Sequence, residues 1–487
     1  MELDIELPPG LLARGTKRRS RGRWLDGDLI RWREGDIGPI GGWKAFGKTP
    51  VQGKARSIQT WSARNNAIWA AIGTHTHLYI ATRGGVMHDV TPDGFRGGRE
   101  YASTGGGYGA GAYGTGTYGT PRTGGAPIIP ASRWSFGLAG EDLVGTLNTD
   151  GPIYRWTPQA NPQKAVPLAG APNARYVLVT NQRIVMALGA QGVRRRIAWS
   201  DIEDVTDWTP RADNRAGDLD LPTRGLPLCA LNVGDAVFLL TDADSWLLTY
   251  QGAGGYGARE VSGANGAVSA GAAQEVDGSV MWMGQEGFHT YAGYVQPLAC
   301  DVAERVFSDI NRAQTSLVSS FHNSGFSEVT WFYPTAGSPE CDAYVTYNYA
   351  EGHWSLGRLD RTAACDVSPF AHPLMMGADG VLYTHEDGDR RDGRMPFLRG
   401  GPLSLGRTVA TVQGYIPDTQ SLGDADLVLH SRFHPRGDER AHGPFDASAK
   451  TDLRATGREV DVELRFAPDQ DFRLGIPSLR VTPRGGR

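Results

Sequence analysis

The stretch PLCALNVGDAVFLLTDADSWLLTYQ, residues 227–251, shows the pattern from which the fold of this chain can be predicted. Three short apolar runs alternate with turns made of Gly and Asp. Such runs, bounded by turn-forming residues, are typical of β-strands, and a Gly-Asp pair between two of them indicates a tight hairpin. The stretch is therefore predicted to fold as three consecutive antiparallel strands.

Clusters of the same kind recur along most of the chain, each spanning roughly 40–50 residues in the manner of a repeat. They cover residues 55–92, 133–158, 175–201, 227–251, 267–298, 327–359 and, in a shorter form, 373–388. Three- or four-stranded units at a nearly constant period are typical of propeller blades. We predict an all-β chain with a β-propeller of six to seven blades. No residue is fixed in every unit, and β-sandwiches or mixed β domains are the alternative.

The chain is predicted to fall into three parts. Residues 1–50 form an N-terminal arm and strand pair, 51–389 the propeller, and 390–487 a smaller C-terminal β domain or outer sheet. A Gly/Tyr-rich insertion, residues 94–127, interrupts the propeller. Its glycines offer no side chain to bury and lose the most entropy on ordering, so we expect no packed core there.

One amphipathic helix is predicted, over residues 300–318. Its apolar residues recur at i, i+4, i+5 and i+8 from Val302, which places them on one face of a helix. Asp301 stands where a residue that caps the helix N-terminus would lie.

Composition sets limits on the class of protein. The net charge of −4 disfavours a dedicated nucleic-acid binder. No apolar run is long enough for a membrane span, and the N-terminus has no secretory signal, so we expect synthesis in a cytoplasm. The cysteines have no metal-site spacing and are expected to be buried free thiols; they are Cys229, Cys300, Cys341 and Cys365.

Two groups of residues have side chains that could bind a cation. His75 and His77 would share one face of a strand, but no third ligand lies nearby in sequence, so exposed or turn histidines are the favoured interpretation. The motif SDIEDVTDWTP, residues 200–210, spaces four carboxylates in a loop. It lacks EF-hand spacing, and we favour a turn in which Asp and Thr cap backbone N–H groups while Trp208 packs inward. No metal site is predicted.

Motifs of nucleophilic, metal-dependent and phosphate-loop enzymes do not occur in the sequence. Carboxylates near aromatic residues would suit glycoside hydrolysis, and these are Glu286, Glu328, Glu340, Asp342 and Glu351. Aromatic residues at strand positions are more typical of blade cores. We therefore expect no enzyme, no catalytic residues and no cofactor.

Two segments are candidate interaction sites. The first is a basic arm, and its residues are Arg14, Lys17, Arg18, Arg19, Arg21 and Arg23. It could contact DNA phosphates or an acidic partner protein, or it could be a solvated tail. The second is the insertion, in which Tyr108, Tyr113 and Tyr118 recur every five residues. These rings could order against a neighbouring subunit, or the segment could be a flexible linker.

Several strings along the chain resemble the tail nozzle, or packaged-DNA stabilisation, proteins of short-tailed bacteriophages (podoviruses). RGRWLDGDLIRWREGDIGPIGGWK (21–44) resembles the opening of these proteins, and YGTPR (118–122) resembles the end of their tyrosine–glycine repeat. Further strings lie at 199–210, 214–221, 280–311, 328–357, 359–366 and 471–487. The resemblance covers nearly the full length.

The resemblance implies a structural virion protein of the tail and carries no catalytic residues. It implies a homohexameric β-propeller ring below the portal–adaptor complex, which retains packaged DNA and forms the channel for DNA ejection. The expected partners are the head-to-tail adaptor, a tail needle, tail fibre or tailspike, and genomic DNA passing through the lumen without sequence-specific binding. The alternatives are a receptor- or polysaccharide-binding tail propeller and a tail-hub assembly protein of a long-tailed phage.

Overall fold

Seven four-stranded antiparallel sheets follow one another around a closed ring, so the fold is a seven-bladed β-propeller. The computed structural model describes residues 1–47, 49–104, 128–405, 409–421, 423–434 and 437–484. The first strand of each blade contacts the first strands of the next and preceding blades, and blade 7 contacts blade 1. The prediction of an all-β propeller with six to seven blades is confirmed, and the number of blades is seven.

The blades coincide with the strand clusters of the sequence. Blade 1 contains Ala55–Ser62, Ile68–Thr74, Leu78–Thr82 and Met87–Asp89. Blade 2 contains Trp134–Ala139, Asp142–Leu147, Tyr154–Trp156 and Val166–Pro167. Blade 3 contains Tyr176–Val179, Val185–Leu188, Arg196–Trp199 and Gly217–Asp220. Blade 4 contains Pro227–Val233, Ala236–Thr241, Ser245–Tyr250 and Tyr256–Ser262.

The remaining blades follow the same order from the inner to the outer strand. Blade 5 contains Ala273–Val276, Ser279–Met283, Phe288–Tyr291 and Val295–Leu298. Blade 6 contains Ser319–Asn323, Glu328–Tyr333, Ala343–Asn348 and His353–Arg358. Blade 7 contains Arg361–Cys365, Leu374–Gly377, Leu382–His385 and, from the other end of the chain, Trp43–Ala45.

The second strand of a blade is apolar on both faces because a neighbouring blade packs on each side. In blade 4, Phe238 and Leu240 lie in an apolar cluster with blade 5, and Val237 and Leu239 lie in one with blade 3. Successive side chains of a strand point to opposite faces. The continuous run AVFLLT therefore fills two blade interfaces, which explains why this strand shows no polar alternation.

Strand Trp43–Ala45 closes the ring by pairing with Leu382–His385 as the outer strand of blade 7. The two glycines before it allow a close approach of two backbones. A Cβ on Gly42 would lie 2.5 Å from the backbone N of Arg390, and a Cβ on Gly41 would lie 2.6 Å from Cα of Glu386. The Gly-Gly-Trp turn thus places the closing strand.

A second β unit is formed by strands from both ends of the chain. One sheet has the order Glu2–Asp4, Ser478–Pro483, Ala410–Ile416 and Thr451–Gly457. Another has the order Trp24–Asp28, Phe397–Gly400, Glu459–Phe466, Ala425–Arg432 and Arg440–Asp446, with Leu403–Ser404 beside Glu459–Phe466. A third has the order Ile30–Arg33, Asp36–Pro39, Arg473–Leu474 and Thr419–Ser421.

The termini are therefore not separate parts of the fold. Residues 1–50 divide between the second β unit and blade 7, whereas the sequence analysis set them apart from residues 390–487. One apolar cluster runs from this unit into blades 5 and 6, where Val412 and Leu464 share a core with Phe288 and Trp331. The pairing of Leu3 with Leu479 has no local sequence signal.

The predicted helix over 300–318 is much shorter in the structure. An α-helix covers Ala303–Asp309, and a 3-10 turn covers Thr315–Leu317. Val302 occupies the N-cap position, and no side chain caps the helix. The expectation that Asp301 caps it is wrong, because the Asp301 carboxylate instead binds arginines of the basic arm. None of the helices among the described residues is both long and apolar enough for a membrane crossing.

Candidate interaction sites

The Gly/Tyr-rich insertion begins and ends on one face of the propeller. It lies in the connection between the outer strand of blade 1 and the inner strand of blade 2. Its stem is a short pair of strands, Ser103–Thr104 and Ile128–Ile129. The tyrosines proposed as interface residues, Tyr108, Tyr113 and Tyr118, lie outside the described residues. Their role stays a prediction.

The stem is bonded to the segment that leads into blade 6. The backbone N–H of Ala102 donates to Oε1 of Gln314, and Nε2 of Gln314 donates to the carbonyl of Ala102, both at 2.9 Å. On the other side of the stem, the N–H of Ala131 donates to Oγ of Ser316 at 3.2 Å. Blade 6 adjoins neither blade 1 nor blade 2. The stem therefore crosses the centre of this face.

A buried arginine fixes the first half of the stem. Arg56, which is 1% exposed, donates from Nη1 to Glu340 at 2.6 Å and from Nη2 to the carbonyl of Glu100 at 3.0 Å. Its guanidinium also lies 5.9 Å from the ring centroid of Tyr101. A buried charge needs a partner of opposite sign. Glu340 provides it, and the carbonyl of Glu100 accepts from a second nitrogen of the guanidinium, so the base of the insertion has a defined position.

The basic arm is folded onto its own subunit rather than extended from it. The N–H of Leu11 donates to the carbonyl of Trp354 at 2.8 Å, and the N–H of Ala13 to that of Asp301 at 3.0 Å. Leu11 is 1% exposed. Of the arm's side chains, Arg14 lies 3.1 Å and Arg23 lies 3.4 Å from the Asp301 carboxylate. These contacts hold the arm against the short helix of blades 5 and 6.

Only part of the arm remains available to a partner. Arg19 and Arg21 are exposed, and Lys17 and Arg18 begin the 3-10 turn Lys17–Ser20, although their side chains lie outside what the structure describes. Arg14 and Arg23 are engaged within the chain. The structure thus brings some predicted arm residues to an acidic site on the same subunit, and the others stay a prediction for an external contact.

A buried charge cluster joins the second β unit to the propeller. Arg31 donates to both oxygens of Glu328 in blade 6, each at 2.8 Å, and to both oxygens of Glu386 beside blade 7, at 3.0 and 2.7 Å. Although burial opposes charge, the two carboxylates raise the pKa of Arg31 above its usual value. Burial likewise opposes the charge of Glu386, yet Arg31 and hydrogen bonds from Gly41 and Asn323 hold its pKa below the ordinary value.

Sequence reasoning did not find this cluster. Glu328 was considered for hydrolysis, and Arg31 appeared only within the string that carries the family resemblance. In the strand IRWR, Arg31 alternates with two large apolar residues, a pattern typical of a charge that faces solvent. The pattern therefore does not indicate the burial of Arg31, and its partners lie far along the chain.

The other candidate carboxylates have structural partners. Glu340 binds Arg56 at 2.6 Å, Asp342 accepts from Thr335 and Arg358, and Glu351 lies 3.2 Å from His353. Only Glu286, an exposed residue, is left without such a contact among the described residues. Four of the five candidate carboxylates are thus engaged in contacts within the chain, since Glu328 binds Arg31.

The two groups considered as cation sites form turns. His75 and His77 lie between the second and third strands of blade 1, where Nδ1 of His75 accepts from the N–H of Lys54 at 3.0 Å. In the acidic motif, Oδ1 of Asp204 accepts from the N–H and the hydroxyl of Thr206, and Trp208 packs on an apolar cluster. No cluster of three potential metal ligands occurs in the part of the chain that the structure describes.

The four cysteines are free, as expected. Cys229 and Cys341 are buried, and Cys300 and Cys365 are half-buried. Burial raises the pKa of Cys229 and of Cys300 to about 12, so these thiols stay protonated and unreactive near neutral pH.

Comparison with solved structures identifies the fold and no family. Virginiamycin B lyase from Staphylococcus aureus matches at a TM-score of 0.44 and 9% identity, over 70% of this chain and 98% of that one. The Cps50 (Swd1) β-propeller domain of Myceliophteria thermophila gives 0.41 and 10%, over 71% and 99%. YCF48 from Cyanidioschyzon merolae gives 0.40 and 11%, over 71% and 98%. No protein-family model matches the sequence, and no curated protein does.

The expectation that the chain is not an enzyme is wrong. Virginiamycin B lyase, an enzyme, is among the structures with this fold, so the lack of the familiar catalytic motifs excludes no catalysis in such a propeller. A likeness at 9% identity shows the fold alone. It assigns no reaction and no catalytic residue to this chain.

Proposed function

We propose that this protein is a tail nozzle subunit of a short-tailed bacteriophage. Six copies form a ring below the portal–adaptor complex, retain the packaged DNA and provide the channel for its ejection. The supporting observation is that strings resembling this family come from opposite ends of the chain and meet in one unit. Ile37 of the string 21–44 pairs with Leu474 of the string 471–487, and Asp36 lies 2.9 Å from Arg473.

The charge balance supports a conduit. A channel for DNA should not hold phosphates tightly, because each neutralised phosphate adds salt-dependent affinity and would slow ejection. The chain has 49 basic and 53 acidic residues, and two of the buried arginines, Arg31 and Arg56, are paired with Glu328 and Glu340. A ring of such chains would carry no net positive charge to hold DNA.

Electron cryomicroscopy of phage particles that contain this chain tests the proposal. We expect six copies in a ring at the tail, below the adaptor, and detection of the chain by mass spectrometry of purified particles. A threefold or fivefold arrangement would contradict the proposed nozzle function, and so would the absence of this chain from purified particles. A monomer in solution would agree with assembly on the adaptor.

Deletion of residues 104–120 tests the part that the insertion plays in this assembly. The stem is held by Gln314 and Ser316, so the blades should fold without the deleted residues. If the tyrosines form an interface in the ring, particles carrying the deletion should lack tails or lose DNA. Normal infectious particles would show that the segment is only a linker.

A further inference from the structure

A groove on the same face of the propeller as the insertion combines an aromatic side chain with free polar groups. Its first half lies between blades 2 and 3 and has a volume of about 490 Å³; the second half, between blades 1 and 2, has about 420 Å³. Asp150 and Asn173 line both halves, so the two cavities form one continuous groove. Volumes of this size are typical of small-molecule sites.

Trp208 forms the apolar wall of the first half. Its indole N–H donates to the carbonyl of Val205 at 2.8 Å, and one side of the ring packs on the apolar cluster of blades 2 and 3. The ring is half-buried and cannot turn freely, since both contacts fix it. Trp208 is one of the lining residues of the groove, so part of the ring is open to it. A rigid, partly exposed indole of this kind is a platform for the C–H face of a ring-shaped ligand.

Asp150 lies where the two halves of the groove meet. Its Oδ1 is buried and accepts no hydrogen bond from any described group of the protein. Buried polar atoms are nearly always satisfied, so an acceptor of this kind is open to a donor from outside the described residues, such as a ligand hydroxyl. The residue is held in the left-handed region at φ 63°, in the turn between the second and third strands of blade 2.

Further hydrogen-bonding groups surround this carboxylate. The side-chain amide of Asn173 is exposed and makes no hydrogen bond within the described part of the chain. Oε1 of Gln191 accepts from Arg196 at 2.9 Å, which leaves the Gln191 NH₂ group to donate into the groove. Acceptor and donor groups thus alternate beside an aromatic face.

The charges of the groove favour a polyhydroxylated ligand over a phosphate. The described lining of the first half contains no Lys or Arg; of its two carboxylates, Asp218 is paired with Arg196 at 3.5 Å, and Asp150 makes no ion pair among the described residues. Arg96 is the one cation in the described lining of the second half. Carboxylates repel phosphates, whereas the hydroxyl groups of a ligand donate strong hydrogen bonds to carboxylates. Sugar rings offer both hydroxyl donors and an apolar C–H face.

We propose that this groove binds an oligosaccharide, with one sugar ring on Trp208 and hydroxyl groups bonded to Asp150. The site goes beyond the proposed nozzle function and does not depend on it. In a tail, it would contact surface glycans of the host cell. The two proposals can fail separately. A nozzle that binds no glycan would contradict only the glycan site, and a glycan-binding propeller outside a virion would contradict only the nozzle.

The test uses the full chain on a printed array of neutral, amino and acidic oligosaccharides, followed by calorimetric titration with the glycan that binds best. Asp150→Asn should weaken binding roughly tenfold, the effect of losing a charge-assisted hydrogen bond. Trp208→Ala should weaken it at least about tenfold, as expected for a Trp at the centre of a binding site. Asp235→Asn, in an exposed turn on the opposite face of blade 4, is the matched control and should leave the affinity unchanged.

Three results would overturn the proposal. The first is the lack of binding to any glycan on the array by a folded chain. The second is binding that Asp150→Asn leaves unchanged, in a variant whose circular dichroism and melting temperature equal those of the unmodified chain. The third is competition by DNA. Trp208 also packs on the core, so Trp208→Ala could unfold the chain. In that case the Asp150→Asn variant alone carries the test. An excess of single-stranded DNA should not compete, and competition would identify a nucleic-acid groove instead.

Discussion

Blade 4 and the second β unit are both antiparallel, yet they differ in how far apart their paired strands lie in sequence. The blade uses one continuous segment, Pro227–Ser262, joined by short turns. The second unit pairs Glu2 with Arg480 and Trp24 with Gly400. Pairing of neighbouring strands costs little loop-closure entropy. Pairing of distant strands costs more, because the two ends of the chain must first be brought together.

The two regions also differ in what their sheet faces bury. Both faces of the central blade strands are apolar, and Val237 to Leu240 are at most 1% exposed. In the second unit, strand Glu459–Phe466 turns Val462 and Leu464 to the core and carboxylates to the other face. There Asp461, with no exposed surface, is paired with Arg432 and Arg399. The central strand of blade 4 is held by apolar burial, and the second unit depends in addition on paired charges.

The largest effect is expected from removal of the N-terminal strands. Deleting residues 1–45 takes away the closing strand of blade 7 and four strands of the second unit, so blade 7 and all three sheets of the second unit lose strands. The chain should aggregate or lose cooperative unfolding, measured by size-exclusion chromatography and circular dichroism. The deletion of 104–120 is the control and should stay soluble. A compact, cooperatively unfolding chain without residues 1–45 would show that the propeller is independent of both ends.

The next effect concerns the charge cluster between the two regions. Arg31→Met should lower the free energy of unfolding by about 3–5 kcal/mol, because Glu328 and Glu386 would stay buried without their cation. Lys44→Met is the matched control. It removes an exposed ion pair with Asp387 and should cost less than about 1 kcal/mol. Denaturant unfolding measures both, and equal costs would contradict a special role of the junction.

Acid should weaken the second unit through Glu463. Hydrogen bonds from His430 and Arg465 lower the pKa of Glu463 to about 2, against an ordinary value of 4.5. A lowered pKa stabilises the folded state above pH 4.5, and this stabilisation disappears as the pH falls towards 2. The free energy of unfolding should be measured from pH 6 to pH 2. Its fall over this range should be smaller in Glu463→Gln than in the unmodified chain, by on the order of 1–2 kcal/mol. A variant as acid-sensitive as the original would contradict this assignment.

The smallest effect on stability is expected from the arm. Replacing Lys17, Arg18, Arg19 and Arg21 with Ser should change the free energy of unfolding by less than about 1 kcal/mol, because Arg14 and Arg23 make the described ion pairs with Asp301. If these residues anchor the subunit to an adaptor, tail attachment in particles should weaken while folding is unaffected. Particles that assemble and retain DNA normally would show that the exposed part of the arm is a solvated surface.

The sequence by itself determined the blades. Apolar runs separated by Gly and Asp turns mark hairpins whose partners lie next to each other in the chain, and the seven clusters each correspond to a blade. The turn at residues 200–210 was predictable for the same reason, since its hydrogen bonds are local.

Only the tertiary structure decided the contacts between distant residues. Nothing near Leu3 indicates Leu479, and nothing near Arg31 distinguishes Glu328 and Glu386 from the other acidic residues. The groove at Trp208 and Asp150 likewise exists only once blades 2 and 3 stand side by side. The local pattern of apolar and polar residues predicts which side chains are buried. It does not predict their partners, because these come from distant parts of the chain that meet only when the whole chain folds.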